Sequence, residues 1–243
     1  MQTAVQLYTL RSMDASLPET VRLVAEAGFD GVEFAGLGDA DEDAVADALS
    51  ATGLAAPSAH VGIDALESDP AAERERYERF GTESLVVPYL DAEQFADGDA
   101  VVETAARLAA VAENVPGLGY HNHEHEFVDV DGAYALERVV TDADVALELD
   151  VGWAHAAGAD PAALVERWAD RIDRIHLKDV VADADAPRGG RPADLGSGDV
   201  PLDACLDAAR EASVEWVVFE HDDPEDAAES LERAASWLAE RGL

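Results

Sequence analysis

His121, His123 and His125 recur at every second position in the stretch Tyr120-His121-Asn122-His123-Glu124-His125-Glu126-Phe127, which carries three of the seven histidines. An extended segment sends alternate side chains to one face, so this spacing aims three imidazoles the same way. Polar residues close other short apolar runs as well: Glu33 after Gly31-Val32, His60 after Ser58-Ala59, Asp150 after Glu148-Leu149, His176 before Leu177-Lys178, and Glu220 after Val218-Phe219. His121, Asp150, His176 and Glu220 make a mixed nitrogen and oxygen set that suits Mn²⁺, Co²⁺, Zn²⁺ or Fe²⁺. It suits Mg²⁺ less well, because two of the donors are imidazoles. Alternation along a strand puts Glu148 on the side of Asp150, and Lys178 on the side of His176. Lys178 is the only lysine of the chain. Its readings are contact with a substrate oxygen or carbonyl, or an ion pair with Asp179 or Glu148.

The elements that must position these groups alternate along the chain. Apolar runs of strand length begin at Ala4, Phe29, Ala56, Ser84, Leu118, Val145, Arg174 and Trp216, with amphipathic helical stretches between them. Ser16 and Glu19 have capping-box spacing ahead of a helix over Leu17 to Ala27. Further helices are expected over Asp41 to Ala51, Ala100 to Glu113, Ala133 to Val140 and Leu202 to Ala212. Others open at Asp69-Pro70, Asp160-Pro161 and Asp223-Pro224, where an acidic cap precedes a proline. Eight strand-helix units at this pitch predict a single (β/α)8 TIM barrel spanning residues 1–243, its active site at the C-terminal ends of the strands. An open doubly wound sheet is the alternative, but no Gly-x-Gly-x-x-Gly turn follows the first strand. The segment from Val181 to Val200, about 20 residues long, exceeds an ordinary connection and reads as a lid or substrate loop. Its Arg188 and Arg191 could meet an anionic sugar.

The chain carries 53 acidic against 16 basic residues, for a net charge of -37 and pI near 4.1, yet its hydrophobic content is 48%. That composition folds, provided salt screens the self-repulsion. The acids crowd helical stretches such as Asp41 to Asp47 and Asp222 to Glu232, where they read as solvated faces adapted to multimolar salt. Nucleic acid is a poor partner for such a surface. Cys205 stands alone, so no disulfide framework forms within the chain, and a reducing cytoplasm fits. Neither an export signal nor a membrane span is indicated, and homo-oligomerisation is left open.

At these residues the sequence resembles the xylose isomerase-like TIM barrel superfamily, in particular its sugar phosphate isomerase/epimerase group. The resemblance rests on Gln6-Leu7-Tyr8-Thr9-Leu10-Arg11, Gly31-Val32-Glu33, Tyr120 to Phe127, Leu147 to Val151, Ile175 to Asp179, Gly196 to Val200 and Val218-Phe219-Glu220. It implies a divalent-metal-dependent isomerase or epimerase acting on a keto-sugar or related polyol, with the metal on His121, Asp150, His176 and Glu220. Glu220 would move the proton. His121 departs from the family pattern, since a histidine stands where one of two proton-exchanging glutamates belongs. His123 or Glu126 would then supply the second proton-transfer group. Alternatively one base suffices, as in a lyase or dehydratase acting on a keto-sugar, inosose or 3-keto-glycoside. Trp153 replaces a histidine found in many relatives and is expected to stack on a sugar face. Glu33, His60, Glu126, Glu148 and Arg191 complete the expected substrate contacts, and His123 and Lys178 join Glu220 in the expected catalytic set. The more distant readings are an endonuclease IV-like repair enzyme and a non-catalytic sugar-binding barrel.

Overall fold

Pairing of the short apolar runs closes the chain on itself. In the computed structural model, which describes residues 1–243, the strands are β1 (Gln2–Gln6), β2 (Gly31–Phe34), β3 (Ala55–His60), β4 (Ser84–Val87), β5 (Gly119–His121), β6 (Ala146–Asp150), β7 (Ile172–Leu177) and β8 (Trp216–Phe219). They form a closed parallel barrel in the order β1-β8-β7-β6-β5-β4-β3-β2. β1 makes the closure, with Ala4 in register with Gly31 on one side and with Val218 on the other. This is the TIM barrel that the alternating pattern predicts.

Each strand sends alternate residues into the barrel. At the N-terminal end Ala4, Trp216 and Val218 pack together with Ala55, and Gly31 leaves room for the indole, because a Cβ there would lie 3.0 Å from the Trp216 ring. The outward positions, among them Val5, Val32, Leu147, Leu149, Ile175 and Val217, join the apolar faces of the surrounding helices in one continuous core. Towards the C-terminal end the inward residues are polar. Register places Glu33 beside Gln6 and Ser58, His176 beside Asp150 and Val218, and Glu148 beside His121.

The helix starts follow local capping chemistry. The helix Leu17–Ala27 begins with the Ser16–Glu19 box, and Ser16 N donates to Glu19 Oε2 at 2.8 Å. Asp69 and Asp160 accept from Ala72 N and Ala163 N ahead of Pro70 and Pro161. Asp223-Pro224 does not open a helix. The last helix runs over Ala227–Ala239 with Asp226 as its cap, because the preceding residues bend across the barrel mouth. There His221 N donates to Thr9 Oγ1, and Asp222 accepts from Lys178.

The segment expected as a long loop also differs. Asp179–Ala182 and Gly190–Ala193 pair as an antiparallel hairpin. Asp179 then gathers the chain that follows, its carboxylate accepting from the amides of Gly196, Gly198 and Val200. A Cβ on Gly198 would lie 2.3 Å from Asp179 Oδ1, so only glycine admits this approach. No helix is long and apolar enough to cross a membrane.

Candidate active site

The inward polar residues meet in one buried cluster. Glu148 Oε1 lies 2.7 Å from His60 Nε2, 3.1 Å from His121 Nδ1 and 2.9 Å from His176 Nε2. Glu33 Oε2 lies 2.6 Å from the same His176 nitrogen and accepts from Gln6 Nε2 at 2.7 Å, while its other oxygen accepts from Ser58. Gln6 Nε2 also stands 3.2 Å from His60 Nδ1. One ring nitrogen of His121 and one of His176 are thus held on carboxylates on the inner side. Their other nitrogens face outward: His176 Nδ1 lies 2.9 Å from Glu220 Oε2, and His121 Nε2 lies 3.8 Å from Asp150 Oδ2.

This is the arrangement in which carboxylate partners fix the orientation of metal-binding imidazoles. His121, Asp150, His176 and Glu220 offer ligand atoms all within 4.8 Å of one another. His60, His121, Glu148 and His176 meet the same distance criterion. In that second set the Glu148 oxygen is already shared among three imidazoles. In the outer set His121 and Glu220 border the open space at the barrel mouth, and Asp150 Oδ2, buried without a hydrogen bond of good geometry, is reached by the Lys178 ammonium at 2.9 Å, which leaves it a lone pair for a second cation. The outer set therefore fits a divalent cation better.

Lys178 lies behind that set. It is fully buried, its Nζ at ion-pair distance from Asp150 Oδ2 (2.9 Å) and Glu220 Oε2 (2.9 Å), with a hydrogen bond to Asp222 Oδ1 (2.8 Å). Its partners are thus these three carboxylates, and neither Asp179 nor Glu148. Burial disfavours the ammonium, but the three carboxylates outweigh it and raise the lysine pKa. Burial would likewise raise Glu220, yet Lys178 and the His176 hydrogen bond hold it well below the usual carboxylate range. In His176 the burial penalty is overcome by Glu148 and Glu33, which raise its pKa well above the ordinary imidazole value. Burial and the neighbouring His176 lower His121.

Above the cluster a cavity of about 690 Å³ opens to the barrel mouth, with His60, His121, His123 and Glu220 among its lining residues. His123 Nδ1 is buried without a partner, and burial first, then His121, holds the ring well below the usual imidazole range, so it is neutral. The cavity is also bordered by Arg188, one of the two arginines of the Val181 to Val200 segment, and by Asp222, which did not stand out in the sequence. Arg188 reaches Glu124 Oε2 at 2.9 Å and Asp222 Oδ2 at 3.2 Å, and its Nη2 is buried without a partner. Gln6 was hidden in the same way, because an isolated glutamine at a strand end carries no signal of its own.

Of the expected substrate contacts only His60 borders the cavity; Glu33 and Glu148 lie buried beneath it, holding the imidazoles, and the other three are placed elsewhere. Trp153 is 1% exposed, and the Arg188 guanidinium covers its ring at 3.4 Å, so the indole face is closed to a sugar. The Arg191 side chain is 69% exposed and pairs with Asp183, because the hairpin turns it away from the cavity. Glu126 is fully buried, accepting from Tyr120 Oη at 2.7 Å and from the amide of His123, and so shapes the segment after β5 instead of facing a substrate.

Burial pushes the Glu126 pKa up to about 7, from 4.5. A carboxyl whose folded pKa lies above its unfolded one carries no penalty below the unfolded value. The penalty grows as pH rises between the two values, reaching about 3 kcal/mol beyond the upper one. Stability should therefore decline between pH 5 and pH 8 (about the span of the two values), and Glu126→Gln should flatten that decline. Thermal unfolding of both proteins across this range checks it, and an unchanged slope in the variant rejects Glu126 as the source.

The family model described as xylose isomerase-like TIM barrel matches residues 21–241. The chain is 32% identical over 130 residues to the rhizopine catabolism protein MocC of Rhizobium meliloti, covering 53% of this chain and 38% of that protein. It is 31% identical over 121 residues to inosose dehydratase of Geobacillus kaustophilus, covering 46% and 39%. The matches thus span less than half the length of these curated relatives. Among solved structures, a sugar phosphate isomerase/epimerase from Parabacteroides distasonis superposes with a TM-score of 0.80 at 16% identity, covering 98% of both chains.

Proposed function

The chain belongs to the xylose isomerase-like TIM barrel family, and from that footing we propose that it is a lyase of keto-sugar or keto-cyclitol chemistry. It would remove the proton next to a carbonyl and expel the hydroxyl one carbon further on. The cation, Mn²⁺, Co²⁺, Zn²⁺ or Fe²⁺ on His121, Asp150, His176 and Glu220, would when bound polarise the carbonyl and acidify the neighbouring C–H. The observation that carries the reading is the position of Glu220, which borders both the cavity and Lys178.

Glu220, kept ionised by Lys178, accepts the proton from carbon and returns it to the departing hydroxyl, so that water leaves and the carboxylate is restored. His60 and His121 line the floor, and Glu148 keeps both from rotating. The unpartnered Arg188 Nη2 can donate to a hydroxyl oxygen of the substrate, as the buried His123 Nδ1 can accept from a hydroxyl. Epimerisation through two carboxylates is less well supported, because Glu126 is tied to Tyr120 and the His123 amide. The similarity to inosose dehydratase, partial as it is, points the same way.

Isomerisation or epimerisation is the second reading, and His123 favours it. Its ring is unprotonated and its Nδ1 has no partner at the cavity wall, which leaves that nitrogen free to take a second proton. Incubating keto-sugars and inososes with cation-loaded protein in D₂O separates the two. Loss of one water from the substrate is the expected result. Deuterium at carbon with the formula retained would transfer the assignment to an isomerase or epimerase. Neither change across the panel would overturn proton transfer altogether.

A further inference from the structure

Tyr8 and Tyr89 border the same cavity, and each leaves nearly half of its surface in water, 44% and 49%, in a protein that buries most of its large apolar side chains. We propose that they form a second sugar subsite, so that the site takes an uncharged two-ring glycoside. The reacting ring would lie over His121 and Glu220, and the outer ring against the tyrosines. The proposal rests on the keto-sugar reading above.

Volume is the first reason. A single hexose has about twelve non-hydrogen atoms and fills roughly 200 Å³ at condensed-phase packing, whereas the cavity holds about 690 Å³. One ring at the floor leaves most of that space to water, and the remainder runs to the tyrosines.

The tyrosines are also held in place before any ligand arrives. The Arg11 guanidinium lies over the Tyr8 ring at 3.7 Å and donates to the Tyr8 carbonyl at 2.9 Å, fixing side chain to backbone. Tyr89 meets His123 and His125 edge-on, with ring centroids 5.0 and 5.4 Å apart. Rings fixed in this way lose little freedom on binding, so more of the stacking energy appears as affinity. Two exposed aromatics on a hydrated rim cover the C–H face of a pyranose, while polar neighbours take its hydroxyls. Those neighbours are present, since Arg11, Asp222 and Asp223 line the same cavity.

Charge decides between a neutral ring and an anionic group. The Arg188 guanidinium is already neutralised by Glu124 and Asp222, and Asp223 adds a further carboxylate to the lining. Arg11 is then the one guanidinium facing the cavity without a carboxylate partner. With Asp223 on the same rim, Arg11 leaves no net positive charge to hold a phosphate or carboxylate, whereas a second sugar needs none.

Saturation-transfer NMR and calorimetry with glucose, a panel of glucose disaccharides of different linkage, and glucose 6-phosphate test the subsite without any turnover. At least one disaccharide should bind roughly tenfold or more tightly than glucose, the gain expected from covering one ring face. That ratio should collapse towards one in Tyr8→Ala/Tyr89→Ala and persist in Tyr8→Phe/Tyr89→Phe. Circular dichroism establishes that both variants are folded. Equal affinity for one-ring and two-ring ligands, no disaccharide binding, a ratio that survives the alanine variant, or a preference for the phosphate each overturns the proposal. The D₂O experiment reads Glu220 independently. Chemistry without a two-ring preference removes the subsite alone, and a two-ring preference without chemistry removes the lyase reading alone.

Discussion

Asp150→Ala is expected to lower divalent-cation affinity by more than about 100-fold, since losing even a supporting partner of a metal ligand already costs about 10–100-fold. His176→Ala should do the same, and His121→Ala should weaken binding further than any cavity-wall substitution. Asp150 Oδ2 stands between the Lys178 ammonium at 2.9 Å and His121 Nε2 at 3.8 Å, and makes no hydrogen bond of good geometry to either. The other oxygen has a separate duty, because Asp150 Oδ1 accepts from Trp153 N at 2.8 Å and caps the helix Val151–Ala156. Alanine therefore removes a ligand, one of the three carboxylates around Lys178 and a cap together, the cap being worth about 1 kcal/mol. Asp150→Asn keeps an acceptor for the cap and leaves Lys178 paired with Glu220 and Asp222, so it should retain most of the stability and still lose the cation. Metal content after dialysis and calorimetric titration measure this. His176 adds a second signature: its pKa is raised well above the usual range, so a cation taking Nδ1 must expel a proton. The apparent binding enthalpy should then vary with the ionisation enthalpy of the buffer. Stoichiometric metal retained by both Asp150→Ala and His176→Ala would refute the site as drawn.

The residues that converge here were legible in the sequence for a simple reason. A polar side chain ending an apolar run has few places to go in a barrel, and the strand period decides which way it points. Glu33, His60, His121, Glu148, Asp150, His176 and Glu220 all came from that rule, as the eight strands did. What stayed hidden depends on contacts between elements far apart in the chain. Arg188 and Arg191 are three residues apart in one polar segment, and only the hairpin register turns the first over Trp153 and the second into solvent. Trp153 read as a stacking surface because nothing local reveals a guanidinium lying on it. Asp223-Pro224 carries a good helix-start signal, but Asp222 is drawn to Lys178, 44 residues earlier, and the chain bends there first. Glu126 sits in the densest run of candidate residues, yet its role is set by Tyr120 on β5, and burial removes it from solvent.

Lys178→Met should destabilise the protein by about 3–5 kcal/mol near neutral pH, the range seen when one partner of a buried ion pair is removed. Methionine fills much of the same volume, so the loss is mainly electrostatic. The stem is closely confined, since a Cβ on Gly152 would lie 2.9 Å from Lys178 Cγ. With the ammonium gone, Asp150, Glu220 and Asp222 face one another without the cation at 2.8–2.9 Å that each now has. The pH dependence follows from Glu220, whose folded pKa lies well below 4.5. A depressed carboxyl contributes stability above its unfolded pKa and loses that contribution as pH falls through the lower folded value. Lys178→Met deletes the contribution, so the gap between variant and wild type should be widest near neutrality. It should narrow below about pH 4.5 (where free carboxyls protonate). A divalent cation held by Asp150 and Glu220 would supply positive charge to the same carboxylates. Adding it should therefore raise the unfolding temperature of Lys178→Met more than that of wild type. A variant as stable as wild type at neutral pH, or one that gains no more from the cation than wild type does, would show that Lys178 does not neutralise this site. The only lysine of the chain would then need a different explanation.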